Sequence, residues 1–328
     1  MPNEQPPVSG AGERLLRIGS RRSALALKQT HMVRDALAAM GHATEVVTFS
    51  TSGDERLDVP LPAIGGKGVF TAELEAALLG GDVDLCVHSL KDLPTDNPPG
   101  LDVGAVLPRE DPRDALLIRP DVAARTLGEL PPGARVGTSS LRRSAMLRQL
   151  RPDLAVVDLR GNVPTRVQKL DGGEMEAIIL AGAGLKRLGM DGRITQWLEP
   201  PTWLPAPAQG VVAIQIRRDD AAIRAILRQV HDEVTWRAAA CERAFLHALE
   251  GGCQVPVGAL ATFREGAMWL EAAILDVTGG EGTRGSCRVD DSGDDAVREA
   301  ARALAASLAA GGGELLLSRA RAAATARR

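Results

Sequence analysis

Tyrosine is missing altogether from the 328 residues, and with four phenylalanines and four tryptophans aromatic side chains make up only 2% of the chain. So few flat rings leave little for bases to stack on. Nor is there an excess of positive charge: 39 Lys and Arg stand against 42 Asp and Glu, a formal net charge of -3. Together these shortages argue against nucleic acid as a partner. The four cysteines, Cys86, Cys241, Cys253 and Cys287, form no CxxC pair, which speaks against a disulfide framework or a common zinc site. Cys241, His247 and Cys253 match no familiar ligand spacing, so no metal is expected. No apolar run approaches a membrane span, and no membrane is expected as a partner. Residues 1–12, MPNEQPPVSGAG, lack the basic start and apolar core of a signal peptide; a cytoplasmic monomer is the expectation.

What is present is the composition of a globular protein long enough for two or three domains. LLRIGS, residues 15–20, is an apolar strand candidate that runs into Arg21, Arg22 and Ser23. Met32, Val33, Ala36, Leu37 and Met40 recur at helical spacing, Gly41 stops the helix, and TEVVTFST alternates like a strand. This predicts a β-α-β unit. After IGGKGVF and a second helix with Phe70, Leu74 and Leu78 on one face, VDLCVHSL reads as a buried strand that ends at Lys91, Asp92, Leu93 and Pro94. Charged groups just past the carboxyl end of a parallel strand mark the edge where ligands bind. Cys86 in mid-strand reads as inert core, and His88 as a satisfied core histidine. Residues 94–114, rich in proline and mixed charge, read as a crossing between lobes.

A second α/β lobe follows. The serines of ARVGTSS are placed to cap the helix LRRSAMLRQL, with Arg142 and Arg143 in its first turn. Cations there oppose the helix dipole, an arrangement that makes sense if an anion binds where amides and guanidinium groups converge. Arg160, Arg166, Lys186 and Arg187 likewise fall at strand ends or helix starts. Arginine grips carboxylates by paired hydrogen bonds, so this set points to an anionic ligand. After the proline-rich stretch 200–207, VVAIQI is an isolated strand with the option of returning to the first lobe. A helix then leads into LEGGCQVPVG, where Gly251 and Gly252 free the backbone and Pro256 prevents helical continuation. Cys253 is thereby presented on a turn. ALATFR, MWLEAAILDV and RGSCRV, followed by an alanine-rich helix, predict a small antiparallel α+β domain.

The motifs RIGSRRSALAL, GGKGVFTAELE, VHSLKDLPT, REDPRDA, VGTSSLRR, LRGNVPTR, LAGAGLKRLG and LEGGCQVPVG occur in the order of one family. The sequence resembles the porphobilinogen deaminases, also called hydroxymethylbilane synthases, from Arg17 to the end of the third domain. The resemblance implies an α/β fold of two periplasmic-binding-protein-like lobes with a third small α+β domain. Its expected layout is a tail at 1–12, a first domain of 13–108 plus 208–228, a second of 109–207, a third of 229–317 and a frayed tail of 318–328. It implies stepwise head-to-tail joining of four porphobilinogen molecules with loss of ammonia, primed by a dipyrromethane cofactor held through a thioether to Cys253.

Carried over residue by residue, the resemblance places Ser23, Lys91, Asp92, Thr138, Ser139, Arg142, Arg143 and Arg166 against the cofactor. Arg21, Arg160, Arg187 and Phe70 fall to the substrate, Lys67 to a covering loop, and Asp92 to catalysis as the one negative charge among them. Each pyrrole brings an acetate and a propionate, to which dense arginine is the expected answer. Ala63, Ala208 and Gln215 depart from the lysine, glycine and glutamate common in the family. A nonenzymatic two-lobe polycarboxylate binder would also explain the arginines but needs no loop thiol. A cysteine hydrolase would need a histidine and an ordering carboxylate, and His247 has no evident carboxylate partner in the sequence.

Overall fold

The computed structural model describes residues 14–51, 71–249, 255–290 and 292–325. In the first lobe, β1 (Leu16–Arg21) and β2 (Thr44–Phe49) are parallel and joined by α1 (Ala24–Ala39). The turn from strand to helix is set by Ser23, whose hydroxyl accepts from the Ala26 amide at 3.3 Å. Val33 and Leu37 then seat α1 on the sheet. Helix α2 (Ala72–Gly80) ends at Gly81 in the left-handed conformation. β3 (Leu85–Ser89) runs parallel to β1 and passes into a single 3-10 turn, Leu90–Asp92. With β4 (Leu101–Val106) and β10 (Val212–Arg217) the sheet order is β2-β1-β3-β10-β4, and β10 is antiparallel to both neighbours.

The second lobe repeats the plan. Its elements are β5 (Asp114–Ile118), β6 (Arg135–Gly137), α3 (Leu141–Leu150), β7 (Ala155–Val157), α4 (Val163–Asp171), β8 (Ala177–Ala181), α5 (Gly182–Arg187) and β9 (Gln196–Leu198). The sheet order is β7-β6-β8-β5-β9, with β6 parallel to β7 and β8, and β5 antiparallel to β8 and β9. In each lobe the antiparallel inner strand is the one that arrives from the other lobe: β5 after the first crossing, β10 after the second. Neither sheet is complete without the exchange.

The two crossings run side by side. Glu110 N donates to Gly210 O at 3.1 Å and Arg109 Nε to Gln209 O at 2.9 Å. Gly210 has φ 89, and a Cβ on it would lie 2.3 Å from the Glu110 carbonyl oxygen, so only glycine fits. Ala208 stands at φ 60, where an L-residue costs about 1–2 kcal/mol. This is the departure from glycine seen in the sequence. Its amide is held by Glu242 Oε2 at 2.6 Å.

Helix α6 (Ala221–Leu227) closes the first lobe, and α7 (Glu233–Ala248) begins the third domain. There β11 (Val257–Arg264), β12 (Ala267–Ile274) and β13 (Thr283–Val289) form an antiparallel sheet in that order. Its inner face, with Ala259, Met268, Leu270 and Ile274, packs against Phe245 of α7 and against Val297, Ala301, Leu304 and Leu308 of α8 (Asp294–Leu308). Glu242 ties this domain to both crossings: it receives Arg109 Nη1 at 2.6 Å, Arg109 Nη2 at 3.0 Å, and the amides of Ala208 and Ala261. Glu242 is fully buried, so removing Arg109 would strand a charge at a cost of about 3–5 kcal/mol.

Several expectations need correction. Residues 94–114 are not all crossing, because Leu101–Val106 forms β4. LDVGAV was hard to see as a strand with an aspartate and a glycine inside it. The segment 318–328 does not fray throughout: α9 (Glu314–Thr325) continues to Thr325 with Leu317 and Ala320 buried. The stretch Asp294–Ala323 is long and apolar enough by composition to cross a membrane, contrary to the expectation of no such run. It is broken by Gly312 at φ 108, and its apolar stripe covers the third sheet, as befits core helices. Lys67, Phe70 and Cys253, with Ala63, lie outside the described residues.

Candidate active site

Lys91 and Asp92 occupy the turn that follows β3, at the carboxyl edge of the first sheet, and the Asp92 side chain is exposed. The turn is gripped from the third domain. Arg243 of α7 donates to the carbonyls of Leu90 at 3.3 Å, Leu93 at 3.1 Å, Pro94 at 2.7 Å and Thr95 at 3.3 Å. The same helix leads, ten residues on in sequence, to Cys253. Sequence reasoning missed Arg243. Its signal was only a cation in a helix ahead of Cys253 in the sequence.

Across the cleft, the strand ends of the second lobe supply the cations. Ser140 caps α3, accepting from the Arg143 amide at 3.4 Å, and so puts Arg142 and Arg143 in the first turn as the sequence predicts. Thr138 Oγ1 accepts from the Ser140 amide, while Ser139 Oγ donates to Leu159 O at 2.7 Å and accepts from Leu159 N at 3.1 Å. The Ser139 hydroxyl thus braces the loop after β6 against the loop after β7. Arg166 Nε donates to Gly161 O at 2.7 Å. Burial, then the nearby Arg143 and Arg160, push the Arg166 guanidinium down to about 10, against the opposing pull of Asp158 and Asp92. Asp92 of one lobe is therefore within electrostatic reach of Arg166 of the other.

Lys91 feels the same group of residues. Burial pushes its ammonium down to about 8; Asp92 and Asp114 work against this, and Arg143 and Arg142 with it. Lys91, Asp92, Arg142, Arg143, Arg160 and Arg166 thus converge. Arg187 does not join them directly: it is buried at the crossings, where Nη2 donates to Gly210 O at 2.6 Å, and burial lowers it to about 10. Ser23 caps α1, and Arg21 ends β1 within reach of His88.

Two readings of the sequence are corrected here. Asp92 is not the sole negative charge: the carboxylate facing Arg142 and Arg143 is Asp114, at 2.7 and 2.8 Å and fully buried. Burial alone would raise the Asp114 carboxyl, but the two guanidinium groups hold it far below the usual range. The signal that could have found it is an acid opening the otherwise apolar strand DALLI. And His247 does have a carboxylate neighbour, with Nδ1 3.4 Å from Asp96 Oδ1, a pairing across 151 residues of sequence. Cys86 is core as expected, with burial raising its thiol; His88 is buried, but its Nε2 has no hydrogen-bond partner among the described residues. No group of metal-ligating side chains occurs among the described residues.

The family model described as porphobilinogen deaminase, dipyromethane cofactor binding domain, matches residues 16–225, and the model of the C-terminal domain of the same enzyme matches 236–309. Porphobilinogen deaminase of Syntrophobacter fumaroxidans is 47% identical over 84% of this chain and 88% of its own length. Those of Roseiflexus sp. and Xylella fastidiosa are 51% and 48% identical, covering 83% and 92% of this chain and 89% and 98% of their own. Among solved structures, the methionine-binding protein MetQ superposes over 70% of this chain and 94% of its own at 14% identity with a TM-score of 0.43, too weak a likeness to bear on fold or function. The site suits a cofactor that carries several carboxylates: cations from both lobes lie within electrostatic reach of one another, and Arg143 Nε is a buried donor with no partner among the described residues. Matched by both family models in order, and near half identical to these relatives over most of its length, the chain belongs to the porphobilinogen deaminase family.

Proposed function

We infer that this chain is a transferase of tetrapyrrole biosynthesis that joins four porphobilinogen molecules head to tail, releasing ammonia at each step, to give the linear tetrapyrrole hydroxymethylbilane. The observation that carries the reading is the match of the cofactor-binding domain over 16–225, the span that contains the converging cations. A dipyrromethane, when bound, supplies the pyrrole carbon from which the product grows. The rival binder of polycarboxylates leaves the relatives' shared enzymatic name without explanation.

The roles of single residues are our proposal. Cys253 anchors the cofactor, and Lys91, Arg142, Arg143 and Arg166 receive its carboxylates, helped by Ser23 and Thr138 at the strand ends. Ser139 serves by holding its loop, since Leu159 already engages its hydroxyl as both donor and acceptor. Arg21, Arg160, Arg187 and Phe70 receive the incoming porphobilinogen, and Lys67 belongs to a cover over it. Asp92 faces the cation that develops on the substrate as ammonia leaves, and its carboxylate stabilises that charge without reorganising. We also propose that the protein acts as a monomer in the cytoplasm. The support for the compartment is that Cys86, Cys241 and Cys287 form no disulfide among the described residues.

Intact-mass measurement of purified protein tests the reading. The expected mass exceeds that of the sequence by two linked pyrrole units, located on the peptide containing Cys253, and the protein releases ammonia from porphobilinogen. An active protein with an unmodified Cys253 peptide would move the anchor elsewhere.

A further inference from the structure

Asp114 belongs to none of the roles above, yet it is the most heavily engaged side chain in the cleft. Its Oδ2 accepts from Arg142 Nη1 at 2.7 Å and Trp203 Nε1 at 2.8 Å, and its Oδ1 from Arg143 Nη2 at 2.8 Å and Gln209 Nε2 at 2.8 Å. Four donors fill the roughly four lone-pair sites of a carboxylate. Asp114 therefore has nothing left to offer a ligand, and it is fully buried.

The arginines keep unspent capacity. Each guanidinium has about five N–H donors. Arg142 Nη1 is shared between Asp114 and Leu204 O, and Arg143 places Nη1 on Ile179 O and Nη2 on Asp114, while Arg143 Nε is a buried donor with no partner among the described residues. Adjacent guanidinium groups repel each other and, in a helix's first turn, also oppose the dipole. Without a counter-charge between them they would not hold one fixed spacing. Asp114 supplies that charge, yet Arg142, Arg143 and Lys91 stand against only two carboxylates, Asp114 and the Asp92 beside Lys91, so the cluster stays positive toward an incoming anion.

The network also has a direction. An ionised carboxylate only accepts, so Gln209 must turn its amide nitrogen toward Asp114, and that nitrogen also donates to Pro112 O at 2.8 Å. Its oxygen is thereby turned toward Lys91, whose Nζ donates to it at 3.3 Å. Arg142 and Arg143 lie in the second lobe, Lys91 in the first and Gln209 on the second crossing. One buried carboxylate thus sets the orientation of the cations on both sides of the cleft.

We propose that Asp114 is the positioning residue of this active site: it fixes Arg142 and Arg143 directly, and Lys91 through Gln209, in the arrangement that receives carboxylates of cofactor and substrate. The inference rests on the functional reading above. Asp114→Asn keeps the size but turns one accepting atom into a donor facing donors, and this scrambles the network's polarity. The folded variant, checked by circular dichroism below its Tm, is expected to carry cofactor in a minor fraction of molecules by intact mass. In the loaded fraction KM for porphobilinogen rises about tenfold or more, as loss of a charged hydrogen bond implies, while kcat falls less.

A purely structural role would lower Tm and leave occupancy and KM alone. Should Asp114→Asn not fold, Asp114→Glu, which keeps the charge and shifts the carboxylate by one methylene, is expected to show the same rise in KM. A folded variant of either kind with wild-type occupancy and KM within about twofold overturns the proposal. Wild-type protein that gains no pyrrole mass and releases no ammonia overturns the functional reading itself, and this inference falls with it; a normal wild type beside normal variants overturns only the role of Asp114.

Discussion

The guanidinium of Arg243 donates to the Pro94 carbonyl at 2.7 Å and reaches three further carbonyls of the segment that carries Asp92, so the helix that leads in sequence to Cys253 directly holds the turn bearing Asp92. Side chains on rigid supports keep their geometry through a reaction, and misplacement by about 1 Å can cost 10²-fold in rate. Arg243→Met retains the packing of the stem but removes all these donors. We expect a folded protein that loads cofactor yet releases ammonia about tenfold to a hundredfold more slowly. Single-turnover measurement on loaded protein decides, and an unchanged rate would reduce the contact to packing.

Asp92→Asn should separate binding from chemistry. The variant keeps the size and much of the hydrogen bonding of the carboxylate but not its charge. Porphobilinogen is expected to bind while ammonia release slows by about 10²–10³, equivalent to ~3–4 kcal/mol of lost electrostatic stabilisation. Loaded protein, matched to wild type for cofactor by mass, should be followed through a single turnover. A rate within about threefold of wild type would remove Asp92 from the chemistry.

Lys91 should titrate far below an ordinary lysine. Burial lowers its ammonium from 10.5 to about 8, so the charged form carries a penalty below that value which is relieved as pH rises from about 8 toward 10.5. Its ability to hold carboxylates fades as pH rises through about 8. Competitive amine labelling of cofactor-free protein, read by mass spectrometry, is expected to show a midpoint near 8 at Lys91. Bound carboxylates favour the ammonium, so loaded protein should give a higher midpoint. A midpoint at 10.5 in cofactor-free protein would contradict this account.

His88 predicts a sensitivity to acid. Burial, with a smaller push from Arg21 and against the pull of the neighbouring Gln215 side chain, lowers the imidazole from 6.5 to about 4. The unfolded chain binds more protons between those values, so the stability His88 contributes is complete above 6.5 and is lost as pH falls toward 4. The loss amounts to roughly 3 kcal/mol. Urea unfolding at pH 7 and pH 4.5 should show a smaller difference for His88→Gln than for wild type. Equal differences would show that other groups account for the acid limb.

The sequence by itself determined what repeats locally. The β-α-β pattern, the serine cap at Ser140 and the charged turn after β3 follow from periodicity and the conformational limits of single residues. It left β4, β5 and β9 unseen, because a three-residue strand, a short apolar run opening on Asp114 and one interrupted by Asp102 and Gly104 carry no alternating signal. Tertiary structure alone decided which charges face one another. Asp114 meets Arg142 and Arg143 only because β5 enters the second sheet beside β8, and Gln209 meets Lys91 across 118 residues only because the two crossings lie side by side. Burial makes those pairings obligatory: a carboxylate at the start of an apolar strand must find donors wherever the fold brings them, and no local pattern says where that is.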